Sequence, residues 1–386
     1  MAKLGDICTI QSGGTPSRSN KDHWDNGTIP WVKISDFSGK YLDHTSEKIT
    51  QAGLDGSSAK IFPKGTILYT IFATLGETCI LDIDATTNQA IAGLKLNDDS
   101  VLLDYLYYYL LSKKEYVNEI GRGVAQNNIN MKILREMEIG IPSKEEQDKI
   151  TDVLNKVYEL IALRKEQLAK LDQLVKSRFI ELFGDPANNP MGWPTQTMKN
   201  ASIRLSDGPF GSNLKSSHYT AEGVRVIRLG NIGCGCFNDA DRSFVPHEHY
   251  EKLKKYTCRA GEIVIATLGD PNLRACIIPD YIGFGINKSD CVHYIPKPNL
   301  LNNQFVCQYI NCPETLVLAS GMVHGQTRSR ISSGQLADLP IFLPPIELQE
   351  QFAAFVEQTD KSKFAIQQSL EKLELLKKSL MQEYFG

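Results

Sequence analysis

Two stretches of the chain carry apolar side chains at steps of three and four. The first runs through Ile150, Val153, Leu154, Val157, Leu160, Ile161, Leu168, Leu171, Leu174, Val175 and Leu182. The second runs through Phe352, Phe355, Val356, Ile366, Leu370, Leu373, Leu376, Leu380 and Tyr384. That spacing lays one apolar stripe along a helix, the seam of a coiled coil. Each stretch follows a proline-bounded, strand-like run, "MEIGIP" (137–142) or "LPIFLP" (339–344). Proline suits the first turn of a helix and acidic residues there complement its dipole, so the helices are expected to begin near Ser143 and Pro345. About 38 residues at 1.5 Å each make a rod of roughly 57 Å. Such a rod does not bury its stripe alone. Each helix packs on its own globular part or, as the matched lengths favour, the two pair with one another; a pseudo-two-fold relation would make that pair antiparallel.

Elsewhere the pattern is short and β-rich. "IPWVKI", "GTILYTIF", "VRVIRL", "GEIVIATL" and "DCVHYI" read as strands separated by Gly, Asn, Asp and Pro turns. One helix is expected in each globular part, "LDYLYYYLLSKKEYVNEI" (103–120) and "NNQFVCQYINCPETLVLAS" (302–320). The fold class that follows is mixed α/β (α+β), with twisted sheets, flanking helices and two long antiparallel coiled-coil helices.

The halves of the chain repeat one another. Placing residue n over residue n + 202 aligns 123–184 with 325–386 without a gap. The identities include Gly123/Gly325, Ile129/Ile331, Leu134/Leu336, Pro142/Pro344, Gln147/Gln349, Leu171/Leu373, Leu174/Leu376, Phe183/Phe385 and Gly184/Gly386. Upstream the match is fainter, at offsets of about 193 to 196: "VKISDFSG" lies over "IRLGNIGC", and "ATLG" occurs at 73–76 and at 266–269. An internal repeat of this kind sets the architecture. The expected divisions are a globular domain at 1–142, a helix at 143–184, a second domain at 185–345 and a second helix at 346–386.

Composition narrows the class. At 386 residues the chain exceeds a single core. It shows neither a basic-plus-apolar leader nor an apolar run long enough for a membrane span, so a cytoplasmic location with no membrane partner is expected. Nine scattered cysteines lack zinc-site spacing and read as free thiols, Cys234-Gly-Cys236 included. A net charge of −3 predicts no strong nonspecific attraction to nucleic acid. There is no phosphate-binding lysine loop, nucleophile elbow, dinucleotide fingerprint or HExxH. "LPPI" (343–346) lacks the ends of an adenine methyltransferase tetrapeptide, and His247-Glu-His249 reads as an exposed loop. No enzyme active site and no metal site is expected. The alternative to catalysis is recognition. Loops mixing Gly with Ser, Thr, Asn, Gln, Arg and Lys, "SGGTPSRSNK", "GRGVAQNN", "SDGPFGSNLKSS" and "HGQTRSR", combine close backbone approach with side chains that read base edges.

"LGDICTIQSGGTPS", "IPWVKISD", "KGTILYTIFATLGET", "TTNQAIAGL", "GRGVAQNNINMKILREMEIGIPSKEEQDKI" and its twin "HGQTRSRISSGQLADLPIFLPPIELQEQF" resemble, in that order, the specificity subunit of type I restriction-modification systems. The resemblance covers nearly the whole chain. It implies a subunit without an active site that binds double-stranded DNA through two target-recognition domains, each reading half of a bipartite, asymmetric site. It implies helices that space the halves and dock two modification subunits, which carry S-adenosylmethionine and methylate adenine N6. Restriction subunits using ATP and Mg would join the same core. The other readings are the recognition subunit of a fused type II-like system and a coiled-coil adaptor that does not bind DNA.

By matching position, the first-domain contacts implied are Gly13, Gly14, Thr15, Pro16, Ser17, Lys33, Ser35, Asp36, Thr74, Gly76, Asn88, Gln89, Arg122, Gln126 and Asn127. Those of the second are Ser212, Asn213, Lys215, Arg228, Asn231, Thr267, Asn272, Arg274, Asn287, Lys288, Gln326, Arg328 and Arg330. The second domain opens on "SDGPFGSN" where the first has "SGGTPS", which implies two different half-sites.

Overall fold

The computed structural model describes residues 1–122, 128–320 and 330–386. The chain divides into two units, Met1–Lys165 with Gln368–Gly386, and Glu166–Gln367. Both long helices are present, at Lys144–Phe183 and Ile346–Phe385, and each contributes one end to each unit.

In the first unit a five-stranded sheet runs in the order Cys8–Ser12, Ile91–Leu96, Ile67–Thr70, Thr78–Leu81, Tyr41–Leu42. A three-stranded sheet places Ile29–Val32 between Glu47–Ile49, antiparallel, and Thr86–Thr87, parallel. Ile67–Thr70 and Thr78–Leu81 are buried throughout, so they read as continuous apolar runs and not as alternations. The core gathers Tyr69, Tyr108, Ile150 and Leu154 with Phe385, whose ring lies 5.2 Å from that of Tyr105. The stretch expected as one helix at 103–120 is two, Leu103–Ser112 and Lys114–Arg122. The break falls at Lys113, whose ammonium turns back to donate to the Phe385 carbonyl at 2.5 Å.

The second unit repeats the plan. One four-stranded sheet orders Ser202–Ser206, Cys291–Pro296, Ile263–Ala266, Arg274–Ile277; the other orders Ser243–Val245, Val224–Ile227, Phe284–Asn287, Thr257–Arg259. Here too the expected single helix is two, Asn303–Asn311 and Pro313–Ser320. Pro313 has no amide hydrogen to continue the first helix but suits the first turn of the second. Phe179, Phe183, Phe305 and Phe352 pack edge to face at the centre of this core.

Within each unit the helix segments run antiparallel. In the first, Arg164 donates to Ser369, Lys165 pairs with Glu374 at 3.2 Å, and the Lys377 ammonium sits over Tyr158. In the second, Asp172 pairs with Lys363 at 2.6 Å and Phe183 meets Phe352. The two sequence alternatives for the stripe therefore combine. The central helix starts on the core of its own repeat through Ile150 and Leu154 and ends on the core of the other through Phe179 and Phe183. The distal helix does the converse, from Phe352 to Phe385. Gly184 ends the central helix with φ of 79°, the left-handed conformation glycine adopts without strain.

Candidate nucleic-acid interface

In each unit a polar glycine loop lies against the end of one sheet, the one that holds Ile29–Val32 in the first and Val224–Ile227 in the second. A Cβ on Gly13 would collide with Thr87 and the Asn88 carbonyl, and one on Gly208 would collide with Asn287 and Lys288, so only glycine permits this approach. The Asn88 amide donates to Val32 at 3.3 Å and the Lys288 amide to Ile227 at 3.0 Å. The next residues, Lys33 and Arg228, each donate a backbone amide three residues ahead, to the Asp36 carboxylate at 2.8 Å and the Asn231 amide oxygen at 2.9 Å. Lys33 thus occupies the place of Arg228, and Asn88 that of Lys288. One backbone frame presents different side chains in the two units.

In the first unit both indoles hold the loop. Trp31 Nε1 donates to Gly14 and Trp24 Nε1 to Ser17, each at 3.0 Å. Thr15 bonds Gln89, and Ser17 lies 3.0 Å from Ser19. Lys33 pairs with Glu47 at 2.7 Å, and so does Arg18 at 2.5 Å. These cations, Lys33 first, hold the Glu47 carboxyl below its usual range. Ser35 and Thr74 are exposed, and the Gly76 amide closes a loop onto Thr70. Asn88 caps its own turn by accepting from Ala90 at 3.0 Å. The side chain of Arg122, and Gln126 and Asn127 entirely, lie outside the described residues.

In the second unit Arg228 pairs with Asp241 at 3.0 Å, and both Arg228 and Lys288 lie 5.6 Å from the Tyr219 ring. Arg330 pairs with Asp290 at 2.7 Å and approaches the exposed Phe210 ring. Burial raises the Asp207 carboxyl, which nevertheless accepts the amides of Gly208 and Asp290 and ties the loop down. Ser212, Asn213 and Lys215 are exposed, and Asn272 is half-buried. Four of the sequence-derived residues face inward. Asn231 and Asn287 are fully buried and hydrogen-bond backbone carbonyls, and Thr267 is 1 % exposed. Arg274 donates to the carbonyls of Leu229, Ile232, Leu268 and Pro271. These four shape the loops. Gln326 and Arg328 lie outside the described residues.

The two ATLG tetrapeptides are not structural equivalents. The bridge Phe72↔Asn128 corresponds to Leu268↔Arg330, and the amides of Ile129 and Ile331 donate to Ile71 and Thr267. Ile71 therefore matches Thr267, three residues out of register with the shared phrase. His247-Glu-His249, expected as a loop, opens a helix, His247–Leu253; the His249 ring lies 4.3 Å from that of His218, tilted by 43°. Among the described residues no group of three or more His, Cys, Asp or Glu side chains forms a metal cage. All nine cysteines are free, and burial pushes the thiols of Cys79 and Cys258 up to about 12. Arg18, Trp24, Trp31, Phe210 and Tyr219 were missed by the sequence reading. The available signal was tryptophan and arginine beside a glycine loop.

A family model described as the type I restriction modification DNA specificity domain matches residues 1–173 and 241–377. The chain belongs to this family. Its role is therefore that of a DNA-specificity subunit, which recognises and does not catalyse. It is 35 % identical over 382 residues to the specificity subunit of the type I restriction enzyme MjaIX of Methanocaldococcus jannaschii, covering 92 % of this chain and 85 % of that one. The specificity subunit of EcoR124I/EcoR124II from Escherichia coli is 26 % identical over 182 residues, 46 % of this chain and 45 % of that one. The fold matches the crystal structure of a type I restriction-modification S subunit from M. genitalium, with a TM-score of 0.55 at 17 % identity, over 100 % of this chain and 95 % of the other. A chain from a structural study of complex assembly and conformational transition of the type I system matches with a TM-score of 0.61 at 17 % identity, over 100 % and 96 %. No described helix of this specificity subunit is long and apolar enough to cross a membrane.

Proposed function

We propose that this specificity subunit reads a bipartite, asymmetric double-stranded DNA site, one half through target-recognition domain 1–142 and the other through 185–345. The observation that carries the reading is the duplicated loop frame with exchanged side chains. Thr15, Lys33 and Asn88 stand in one copy where Phe210, Arg228 and Lys288 stand in the other. Two copies of one frame with different chemistry suit two different half-sites. The contacts come from exposed residues of the sequence-derived set, Ser17, Ser35, Thr74, Ser212, Asn213, Lys215 and Arg330, and from half-buried ones, Thr15, Lys33, Arg228 and Lys288. The buried Asn231, Thr267 and Asn287, with the half-buried Arg274, position them.

Each bidentate side chain–base pair contributes about 1–3 kcal/mol of discrimination, and separated positions add, so two linked readers reach a selectivity that one does not. Segments 143–184 and 346–386 set the unread spacer and dock two methyltransferase subunits, which hold S-adenosylmethionine and take the adenine from the stack. Restriction subunits with ATP and Mg complete the assembly. Partner chains supply much of the phosphate grip that a net charge of −3 does not. The test is to express the chain with the methyltransferase subunit of its system in a host free of adenine methylation and map N6-methyladenine by long-read sequencing. A split motif with a constant spacer is expected; methylation at an unsplit motif rules the reading out.

A further inference from the structure

The geometry points to Arg18 as the residue that reads a guanine in the half-site of the first unit. It lies one residue beyond the Gly13–Ser17 loop. Its guanidinium carbon stacks 3.7 Å from the centroid of the Trp24 ring and 4.7 Å from that of Trp31, and those two indoles pack edge to face at 5.0 Å. The same indoles donate to the loop carbonyls of Gly14 and Ser17, so the loop and the guanidinium plane rest on one platform.

One edge of the guanidinium is taken: Nη1 pairs with Glu47. Nε and Nη2 have no hydrogen-bond partner among the described residues, and the side chain is 51 % exposed. A flat guanidinium whose orientation is fixed before binding, with one face stacked and donors free, matches the O6/N7 edge of guanine in the major groove. Lys33, on the other oxygen of Glu47, is a point charge suited to a phosphate and not to that planar recognition. The fold gains little from the arrangement, because an exposed ion pair and an exposed cation–π contact each contribute about 0–1 kcal/mol. Among the described residues of the second unit no pair of indoles stands here; Arg228 and Lys288 lie instead over the single ring of Tyr219. Phe210, within the glycine loop of that unit, lies near Arg330.

This role rests on the DNA-reading function proposed above, and the experiment separates the two. The full-length chain and the variants R18K and R18Q are assembled with the methyltransferase subunit, and the methylated motif and melting temperature of each are measured. In R18K discrimination at a single G·C pair, in one half-site, is expected to fall roughly ten- to hundredfold with the other half unchanged. In R18Q the same position is expected to move towards A·T, because a glutamine amide matches adenine N6/N7. An unchanged motif in both variants overturns the assignment, as does equal relaxation of both halves. R18Q, whose planar amide still stacks on the indoles, carries the test if R18K does not fold; failure of both to fold makes Arg18 a structural residue and also overturns it. If the parent chain directs no split motif, the function itself fails, and the Arg18 assignment falls with it.

Discussion

His293 shows how single residues tie the second unit to pH. Its ring is 1 % exposed, Nε2 lies 2.7 Å from Glu262, and Nδ1 has no hydrogen-bond partner among the described residues. Burial holds the folded imidazole below its ordinary value, against the pull of Glu262. The unfolded imidazole takes its proton near pH 6.5, so below that the unfolded chain binds more protons than the folded one. Stability therefore falls as pH drops from about 6.5 towards the lowered folded value. The melting temperature should decline between pH 7.5 and 5.5, and H293Q, which can still donate to Glu262, should flatten that decline. An identical slope in the parent and H293Q would remove His293 as the source.

Among the elements, the starts of the two long helices carry the same device. Gln147 is fully buried; its oxygen accepts from Leu102 at 2.8 Å and its amide donates to Ser100 and Pro142, both at 2.9 Å. Gln349 does the same with Asn302, Leu300 and Pro344. Each glutamine satisfies three backbone groups where helix, loop and following helix meet. Q147L leaves those groups buried and unpaired, at about 1–3 kcal/mol apiece before relaxation. A loss of at least about 2 kcal/mol is expected in denaturant titration, with Q349L behaving alike. A loss under about 0.5 kcal/mol would mean the groups find other partners. The Gln147/Gln349 identity stood out in the sequence, whereas its job did not, because the three partners lie up to 49 residues away. The helix breaks at Lys113 and Pro313 were missed for opposite reasons. Pro313 is a local stop overlooked inside an apolar run. Lys113 bonds a carbonyl 272 residues distant, which no local pattern encodes.

At the scale of the molecule the duplication governs behaviour. Deleting the same number of residues from both helices at paired levels, two heptads from each, should shorten the unread spacer of the methylated motif or abolish methylation. Retention of the parent spacer would show that the helices do not set it. The repeat, the period of both stripes and their proline-bounded starts were all legible in the sequence, because each depends on identity or spacing within a few turns of chain. The family resemblance was legible for the same reason, through phrases in a fixed order. The candidate site was legible only as loops. Ser17 and Ser35 emerged exposed, whereas Asn231 and Thr267 are buried, and ATLG proved to be three residues out of register between the copies. Burial of a polar side chain and the register of a loop depend on strands distant in sequence, so composition does not separate a residue that reads from one that braces. The Arg18 platform exists because Trp24 and Trp31 meet across two segments. By itself the sequence determined a twice-written chain with two long amphipathic helices and two polar loop sets. Tertiary structure decided that each helix ends on the core of the other repeat, since Phe183 and Phe385 hold equivalent places before a glycine in the repeat and find their partners only through the fold.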